Sequence, residues 1–539
     1  MTTTSSPYLA ESWTEDETSL LSRYFTNVDL PVFALVNLPE VVKGALFARY
    51  SRSNKSLRRL FLDEFASDVE GAGTADVARA AQNSEALYDR VFVGFGDDSV
   101  AQLGGAHLAC EQSSNLLTKI LERPRLGSYL EQSTRYMPYD VRRSNGTWRY
   151  YDDPELAASR LGERYRSDMD FIFSGYSDLL GQMTEHYRRT VPCVDTDLGP
   201  WKQATRAKAL DAVRGLLPAA SLSNLGIFAS GQTYEALLMR MRGHPLLEAR
   251  QYAAMMLHEL RKVIPSFLRR VDIPDRGGAW SGYFTDNRNA LDEVAELFFT
   301  EAPGPVGTVT LVHWDPAAED RMLAAAIYPH TLLPLAQVEA RVAKLGAIEK
   351  LEVLQCFVGD RANRRHRPGR ALEMPVYTFD VLSDYGAFRD LQRHRMLTID
   401  WQRLSPAHGY AVPEDVAHAG HEGGYRAAME RSAALYQALA RGGFGTQAQY
   451  AVALAFRLRY QVTLNAREAM HLTELRSGPA GHPSYRFIAQ EMHRLIGEKA
   501  GHHAVAAMMR FVDYSGADQL GRLDAERRSA SRADDKKAA

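Results

Sequence analysis

Arginine is the residue type whose spacing in this chain points to chemistry. Its planar guanidinium keeps its charge at physiological pH and grips phosphate or carboxylate through two parallel hydrogen bonds. The run RPRLGSYLEQSTRY, residues 123–136, carries Arg123, Arg125 and Arg135 among Ser128, Ser133 and Thr134, with Gly127 permitting close backbone approach. Such a set makes a phosphate or nucleotide cradle; it also suits exposed arginines solvating the last carbonyls of a helix. A second run, RANRRHRPGR over 361–370, has five arginines in ten residues. It reads as a solvated loop or as the cradle of a diphosphate-bearing cofactor. In a third, TLNAREAMHLTELR over 463–476, Arg467 and Arg476 fall on opposite faces of a helix turning about 100° per residue, while Arg467 and His471 share a face. Arginines presented both ways suit a place between two ligands or two subunits, or simply a half-buried helix with two surface cations.

Other chemistries find less support. Cys110, Cys193 and Cys356 are too few and too scattered for a disulfide framework, which fits a reducing compartment, and no C-x-x-C or H-E-x-x-H spacing offers a metal site. Pro192-Cys193 has the look of a nucleophile dipeptide, but no His follows it, so Cys193 reads as structural. Gly443, Gly445 and Ala448 spell G-x-G-x-x-A after a helical pattern, whereas a dinucleotide fingerprint needs a strand before it.

The elements that must position the arginines follow from pattern. At 539 residues the chain has room for two large domains or several smaller ones, and 24% charged with 45% hydrophobic residues is ordinary for a globular protein. A net charge of −2 gives no field for a polyanion, so no nucleic-acid partner is expected and any anion site must be local. The start lacks a signal-peptide pattern and no 18-residue apolar run spans a membrane, so a cytoplasmic protein is expected. Leu246, Ala249, Ala253, Met256, Leu260 and Val263 recur at helical spacing up to Pro265. VYTFDV over 376–381 alternates as a half-buried strand. Glycine and proline crowd residues 272–307 around one short amphipathic segment, Ala290 to Phe299, which marks a boundary near Pro303. After it, Thr308 to His313 reads as a strand, Asp315 and Pro316 as a helix start and Pro329 as its stop. The fold class expected is helix-rich α+β.

The chain also repeats itself. RHRMLTIDWQRLSP over 393–406 answers the first arginine run 270 residues earlier, and LTELRSGPAGHPSYRFIAQ over 472–490 answers LMRMRGHPLLEARQYA over 238–253, 234 residues earlier if Arg242 pairs with Arg476. Two blocks recurring in order imply a duplicated domain whose first copy carries an insertion near 142–156.

These blocks resemble a known family. RPRLGSYLEQSTRY resembles the R-H-R, seven residues, Ser signature of the flavin-dependent thymidylate synthases, the ThyX family, and RHRMLTIDWQ resembles its first part again. The chain looks like a tandem fusion of two diverged ThyX-like domains, each helix-rich with a short antiparallel sheet. Expected boundaries are a tail at 1–19, a first domain at 20–272, a linker at 273–305, a second domain at 306–512 and a disordered tail at 513–539. The resemblance implies FAD as cofactor, with NADPH and methylenetetrahydrofolate as co-substrates, for methylation of dUMP to dTMP without a cysteine nucleophile or a metal. It further implies sites built between subunits, so that two fused copies would assemble as a homodimer forming a pseudo-tetramer.

Residue by residue, the halves depart differently. In the first, Glu131, Ser133 and Arg135 match the nucleotide-phosphate segment, Gln132 and Thr134 within it are altered substrate-pocket residues, and Arg214 and Arg242 stand at further dUMP-contacting places. There Arg123 and Arg125 flank Pro124 in place of His, Gly231-Gln232-Thr233 replaces N-x-R, and Ser99 stays in an upstream segment whose usual His and Glu become Asp97 and Gln102. In the second, Arg393, His394, Arg395, Asn465, Arg467 and upstream Glu373 match the flavin-binding positions. Arg476 matches the terminal arginine, assigned with Arg242 to the catalytic set, but the nucleotide segment has become Trp401 to Ser405. The expectation is a composite site, dUMP held mainly by the first copy and FAD by the second. The alternatives are methylation of another uracil nucleotide, or an inactive nucleotide-binding paralogue.

Overall fold

A computed structural model describes residues 11–31, 33–50, 53, 55–66, 102–193, 198–302, 304, 306–516, 520, 523 and 527. Ser99, Asp97 and the segment around them lie outside the described residues. The chain forms two compact units interleaved in sequence. One comprises Met1–Glu111, Ile120–Glu131 and Asn224–Thr300; the other comprises Gln112–Lys119, Gln132–Ser223 and Glu301–Ala539.

Among the described residues the first unit opens on helix Glu15–Tyr24, which starts inside the stretch expected to be a tail and ends beyond it. Thr14 and Glu17 close a reciprocal capping box at its start. It packs with Leu57–Glu64 and Glu40–Tyr50 around Leu21, Phe25, Val42, Leu46, Leu60 and Phe61. The unit's sheet has the order β1 (Gly105–Ser114), β3 (Leu222–Ser230), β2 (Gly127–Glu131), with Gly127 opposite Ala229 and Glu131 opposite Leu225. Helix Gly231–Arg242 follows β3 directly. The expected linker holds a 20-residue helix, Ala279–Phe298, tied to the end of Gly231–Arg242 by Ser281 bonding Met239 O and Arg288 bonding Gly243 O.

The second unit carries an antiparallel sheet ordered β4 (Val309–Trp314), β5 (Val376–Asp384), β7 (Arg457–Asn465), β6 (Leu397–Trp401). Alternate residues of the two central strands, Tyr377, Phe379 and Val381 with Leu458, Tyr460, Val462 and Leu464, are buried, as a sheet with one core face requires. Its long helices include Gly162–Thr190, Leu198–Val213, Glu422–Arg441 and Pro483–Glu498. Within the stretch expected to be a tail, Arg486 bonds Ser515 O, and Leu520 is buried with Trp201. Cys193 packs at that same cluster, consistent with a structural thiol.

The duplication is visible element by element. Asn115–Leu121 and Tyr385–Leu391 are both seven-residue helices, β2 and β6 are both five-residue strands, and each pair starts 270 residues apart. The caps Ser230 and Asn465 are 235 apart, each accepting from the third amide of its helix. The first copy therefore gains 35 residues between these landmarks, part of them in Gly162–Thr190, which has 29 residues against 20 in Glu422–Arg441.

Candidate anion and cofactor site

In the second unit, arginines from both halves of the chain meet. Arg135 follows β2 in sequence and is nearly buried. Its Nε and Nη2 grip both oxygens of Asp211 at 2.8 Å, its Nη1 donates to Tyr485 Oη at 2.5 Å, and Nη2 also reaches Ala480 O. Burial works against this guanidinium's charge, but Asp211 raises its pKa above the ordinary arginine value. Arg214 lies just past helix Leu198–Val213, 4% exposed, with Nη1 3.3 Å from Asp390 Oδ2 and Nη2 buried without a hydrogen-bond partner. Gly386 makes room for it, since a Cβ there would stand 3.3 Å from Nη2. Arg476, at the end of helix Ala466–Arg476, places Nη1 4.0 Å from the other oxygen of Asp390. Burial would raise the Asp390 carboxyl, but Arg214, Arg476, Arg135 and Arg393 hold it down at about 2.

Beside Arg214 is a cavity of about 560 Å³, lined by Lys208, Arg214, Asp384, Tyr425 and His482 among others. Burial raises the Asp384 carboxyl, although Arg214 and the Ala387 amide oppose that. Burial, with Arg214 nearby, lowers the His482 imidazole to about 3, so it is neutral at physiological pH. The volume is within the range of small-molecule pockets.

Helix Ala466–Arg476 organises the rest. Asn465 caps it and Arg467 in its first turn reaches Glu373 at 3.3 Å. Glu468 accepts from His394 Nδ1 at 2.7 Å, and Arg476 Nε donates to His394 Nε2 at 3.0 Å. Because a guanidinium can only donate, Nε2 must be the lone-pair nitrogen and Nδ1 must carry the proton. Burial pushes His394 down to about 4, while the hydrogen bonds from His394 and His471 hold Glu468 at about 2 against its own burial. His394, Glu468 and His471 offer ligand atoms within 4.8 Å of one another, as a metal site would. Both ring nitrogens of His394 are already engaged, one by a cation, so the arrangement acts as a hydrogen-bond chain.

The residues here suit an anionic cofactor. Leu397 pairs with Leu464, so Arg395 just before β6 is near the start of helix Ala466–Arg476, where Arg467 also lies. Two arginines at the positive end of an 11-residue helix are the donor set a diphosphate needs.

The sequence-derived residues are thus divided. Gln132, Ser133, Thr134, Arg135, Arg214, Glu373, Arg393, His394, Arg395, Asn465, Arg467 and Arg476 belong to the second unit, whereas Arg123, Arg125, Glu131 and Arg242 belong to the first. Counting from the helix starts corrects two pairings. Arg476 is the eleventh residue of its helix and Arg242 the twelfth of its own, so the counterpart of Arg476 is buried Met241, about 100° around the helix from Arg242. The counterpart of Asn465-Ala466-Arg467 is Ser230-Gly231-Gln232, one residue earlier than the spacing suggests. Gln102 Nε2 donates to Gln232 Oε1 at 2.8 Å, a neutral version of the Glu373–Arg467 pair. Of the RANRRHRPGR run, Arg361 is buried and forms a doubly bonded ion pair with Glu474, while Arg364, Arg365, Arg367 and Arg370 are exposed. Asp211, Asp390 and Tyr485 escaped sequence reasoning; the one signal was an acid three residues before Arg214 and another three before Arg393.

Comparison with known proteins agrees with the duplication. The profile of the thymidylate synthase complementing protein family matches residues 45–266 and again 313–500. A UPF0159 protein of Chlamydia muridarum is 39% identical over 96% of this chain and 98% of its own length. One from Thermoplasma acidophilum is 30% identical over 90% of this chain and 97% of its own. A solved structure, the UMP/dUMP methylase PolB from Streptomyces cacaoi, covers 38% of this chain and 97% of its own at 19% identity and a TM-score of 0.29, a likeness too slight to build on. Among the described residues no helix is long and apolar enough to cross a membrane.

Proposed function

The chain belongs to the thymidylate synthase complementing protein family, matched twice along its length, and on that premise we propose that it methylates the uracil ring of a nucleoside monophosphate, dUMP first. Methylenetetrahydrofolate would give the carbon and NADPH the electrons. The observation that carries this reading is the meeting of Arg214 from the first half with Arg476 from the second around one buried seat, with an unpartnered guanidinium nitrogen beside a ligand-sized cavity.

FAD, when bound, would supply the hydride that reduces the transferred carbon to a methyl group. Arg395 and Arg467 would hold its diphosphate, with Asn465 keeping the helix start formed behind it. His394 stays neutral and fixed between Glu468 and Arg476, so it orients Arg476 toward the phosphate rather than moving a proton. Arg214 and Arg476 bind the substrate phosphate and thereby position the ring. No cysteine is needed, and none of the three lies among the residues of the seat. Homodimers, completing each site with partner residues, are part of the same reading.

The test is an assay of purified protein with FAD, NADPH, methylenetetrahydrofolate and dUMP. Formation of dTMP supports the reading. Bound flavin with turnover of UMP alone would redirect it to another uracil nucleotide, and a protein that takes up no flavin would point to a non-catalytic nucleotide binder.

A further inference from the structure

Helix Ala279–Phe298 lies between the two segments that the family profile matches, and one side of it is fixed to its own unit. Ser281, Thr285 and Arg288 donate to Met239 O and Gly243 O at 2.9 to 3.0 Å, and Gly243 permits the approach, since a Cβ there would stand 2.5 Å from Ser281 O. Those three, with Phe284 and Asp292, are half-buried; the other residues of the helix are exposed. The exposed side is apolar in a definite order. Trp280, Tyr283, Asn287, Ala290, Val294 and Leu297 follow at alternating steps of three and four, the a and d positions of a heptad in which Trp280, Asn287 and Val294 are a. Trp280, Tyr283 and Leu297 are 58, 62 and 70% exposed, and Leu291 and Phe298 widen the stripe at 68 and 65%. A soluble chain rarely leaves so continuous an apolar stripe in water.

The polar residues of the stripe decide what covers it. Its rims carry Asp286, Glu293 and Glu296, and the one cation of the helix, Arg288, is bonded on the docked side. That is the reverse of the basic rims that hold a helix on a lipid surface. Asn287 stands alone in the middle of an apolar seam. Once covered, its amide needs a polar group opposite, and a second copy of this helix, parallel and in register, supplies the same amide at the same layer. The acids set the direction too. Asp286 and Glu293 are g positions, which in a parallel pair face Leu291 and Phe298 at the e positions of the other copy, and in an antiparallel pair face each other. A parallel pair also turns the b and f positions outward, and these are Ser281, Thr285, Arg288 and Asp292, the residues of the docked side. Because docking already forms the helix, pairing does not have to order it.

We propose that the exposed side of helix Ala279–Phe298 is a self-association surface, pairing with the same helix of a second copy as a short parallel two-stranded coil centred on Asn287. The surface does not depend on the nucleotide and flavin reading. Disulfide trapping on the full chain tests it, in a Cys356→Ser background so that the exposed native thiol takes no part. Asn287→Cys puts a thiol at an a position, where two parallel strands bring like Cα atoms within disulfide reach, and is expected to give a covalent dimer that reductant dissolves. Asn289→Cys, at an outward c position, is expected to stay a single-chain band on the same gel. Leu297→Glu changes a side chain already in water, so the chain should fold; it is expected to halve the sedimenting mass and to abolish the Asn287→Cys link. Equal trapping of both cysteines, or no trapping with a mass unchanged by Leu297→Glu, would overturn the proposal. A mass halved by Leu297→Glu without an Asn287→Cys link would overturn the parallel register. Binding to vesicles of anionic lipid that Leu297→Glu removes, with no change in mass, would overturn it in favour of a lipid surface.

Discussion

Arg476 Nε lies 3.0 Å from His394 Nε2, and this single bond sets the proton on the far side of the imidazole, where Nδ1 donates to Glu468. A cation, a neutral ring and a carboxylate are thereby locked in sequence in a nearly dry place.

His394 folds as a neutral group held near 4, against an ordinary 6.5, and Glu468 as a carboxylate held near 2. The unfolded chain therefore binds more protons than the folded one between those values. Stability is complete above about pH 6.5 and falls as pH drops toward 4, by an order of 1–3 kcal/mol for such a histidine. Chemical denaturation across that interval should show the slope, and His394→Gln should flatten it. A flat wild-type profile would mean the ring protonates freely in the folded state.

Arg361 and Glu474 each have side chains 1% exposed and share two hydrogen bonds of 2.7 and 2.8 Å. Removing one partner of such a pair strands a buried charge, so Arg361→Ala should cost about 3–5 kcal/mol. Exposed Arg364→Ala and Arg367→Ala should fall within about 0.5 kcal/mol of wild type. Flavin content per folded molecule should be the same in both exposed variants; loss of cofactor in either would return the run to the cradle reading.

Arg467, 35% exposed on its side chain and beside Glu373, holds nothing in the core. Arg467→Ala should leave the melting temperature nearly unchanged and weaken FAD about ten-fold or more, while dUMP binding persists. Equilibrium dialysis followed by flavin absorbance measures the first effect and calorimetry the second. Loss of both ligands together would contradict a division between phosphate seat and cofactor end.

Much of this was legible in the sequence because its signals were local. Alternation marked β5, a β-branched run marked β4, and the Arg-x-Arg blocks announced the duplication. Helix Leu247–Leu260 followed its apolar stripe except at Val263, which lies past its end and is exposed, and Pro329 closed, within two residues, a helix that begins at Ala318 rather than at Pro316. What stayed hidden was long-range partnership. Nothing in the spacing says that Arg135 finds Asp211, 76 residues away, or Tyr485, 350 away. The Arg242 pairing failed because a helix one residue longer rotates its end by about 100°, a shift that a gapless reading of two motifs cannot register. Arginine-rich loops read alike whether one member is buried, as Arg361 is, or all are solvated.

The most direct measurement is a double-mutant cycle on dUMP affinity with Arg214→Ala and Arg476→Ala. Both residues approach the same carboxylate from opposite halves of the chain, so one shared seat predicts that their effects couple by about 0.5–3 kcal/mol. Strict additivity, or a dUMP affinity indifferent to either change, would contradict a single site assembled from the two halves.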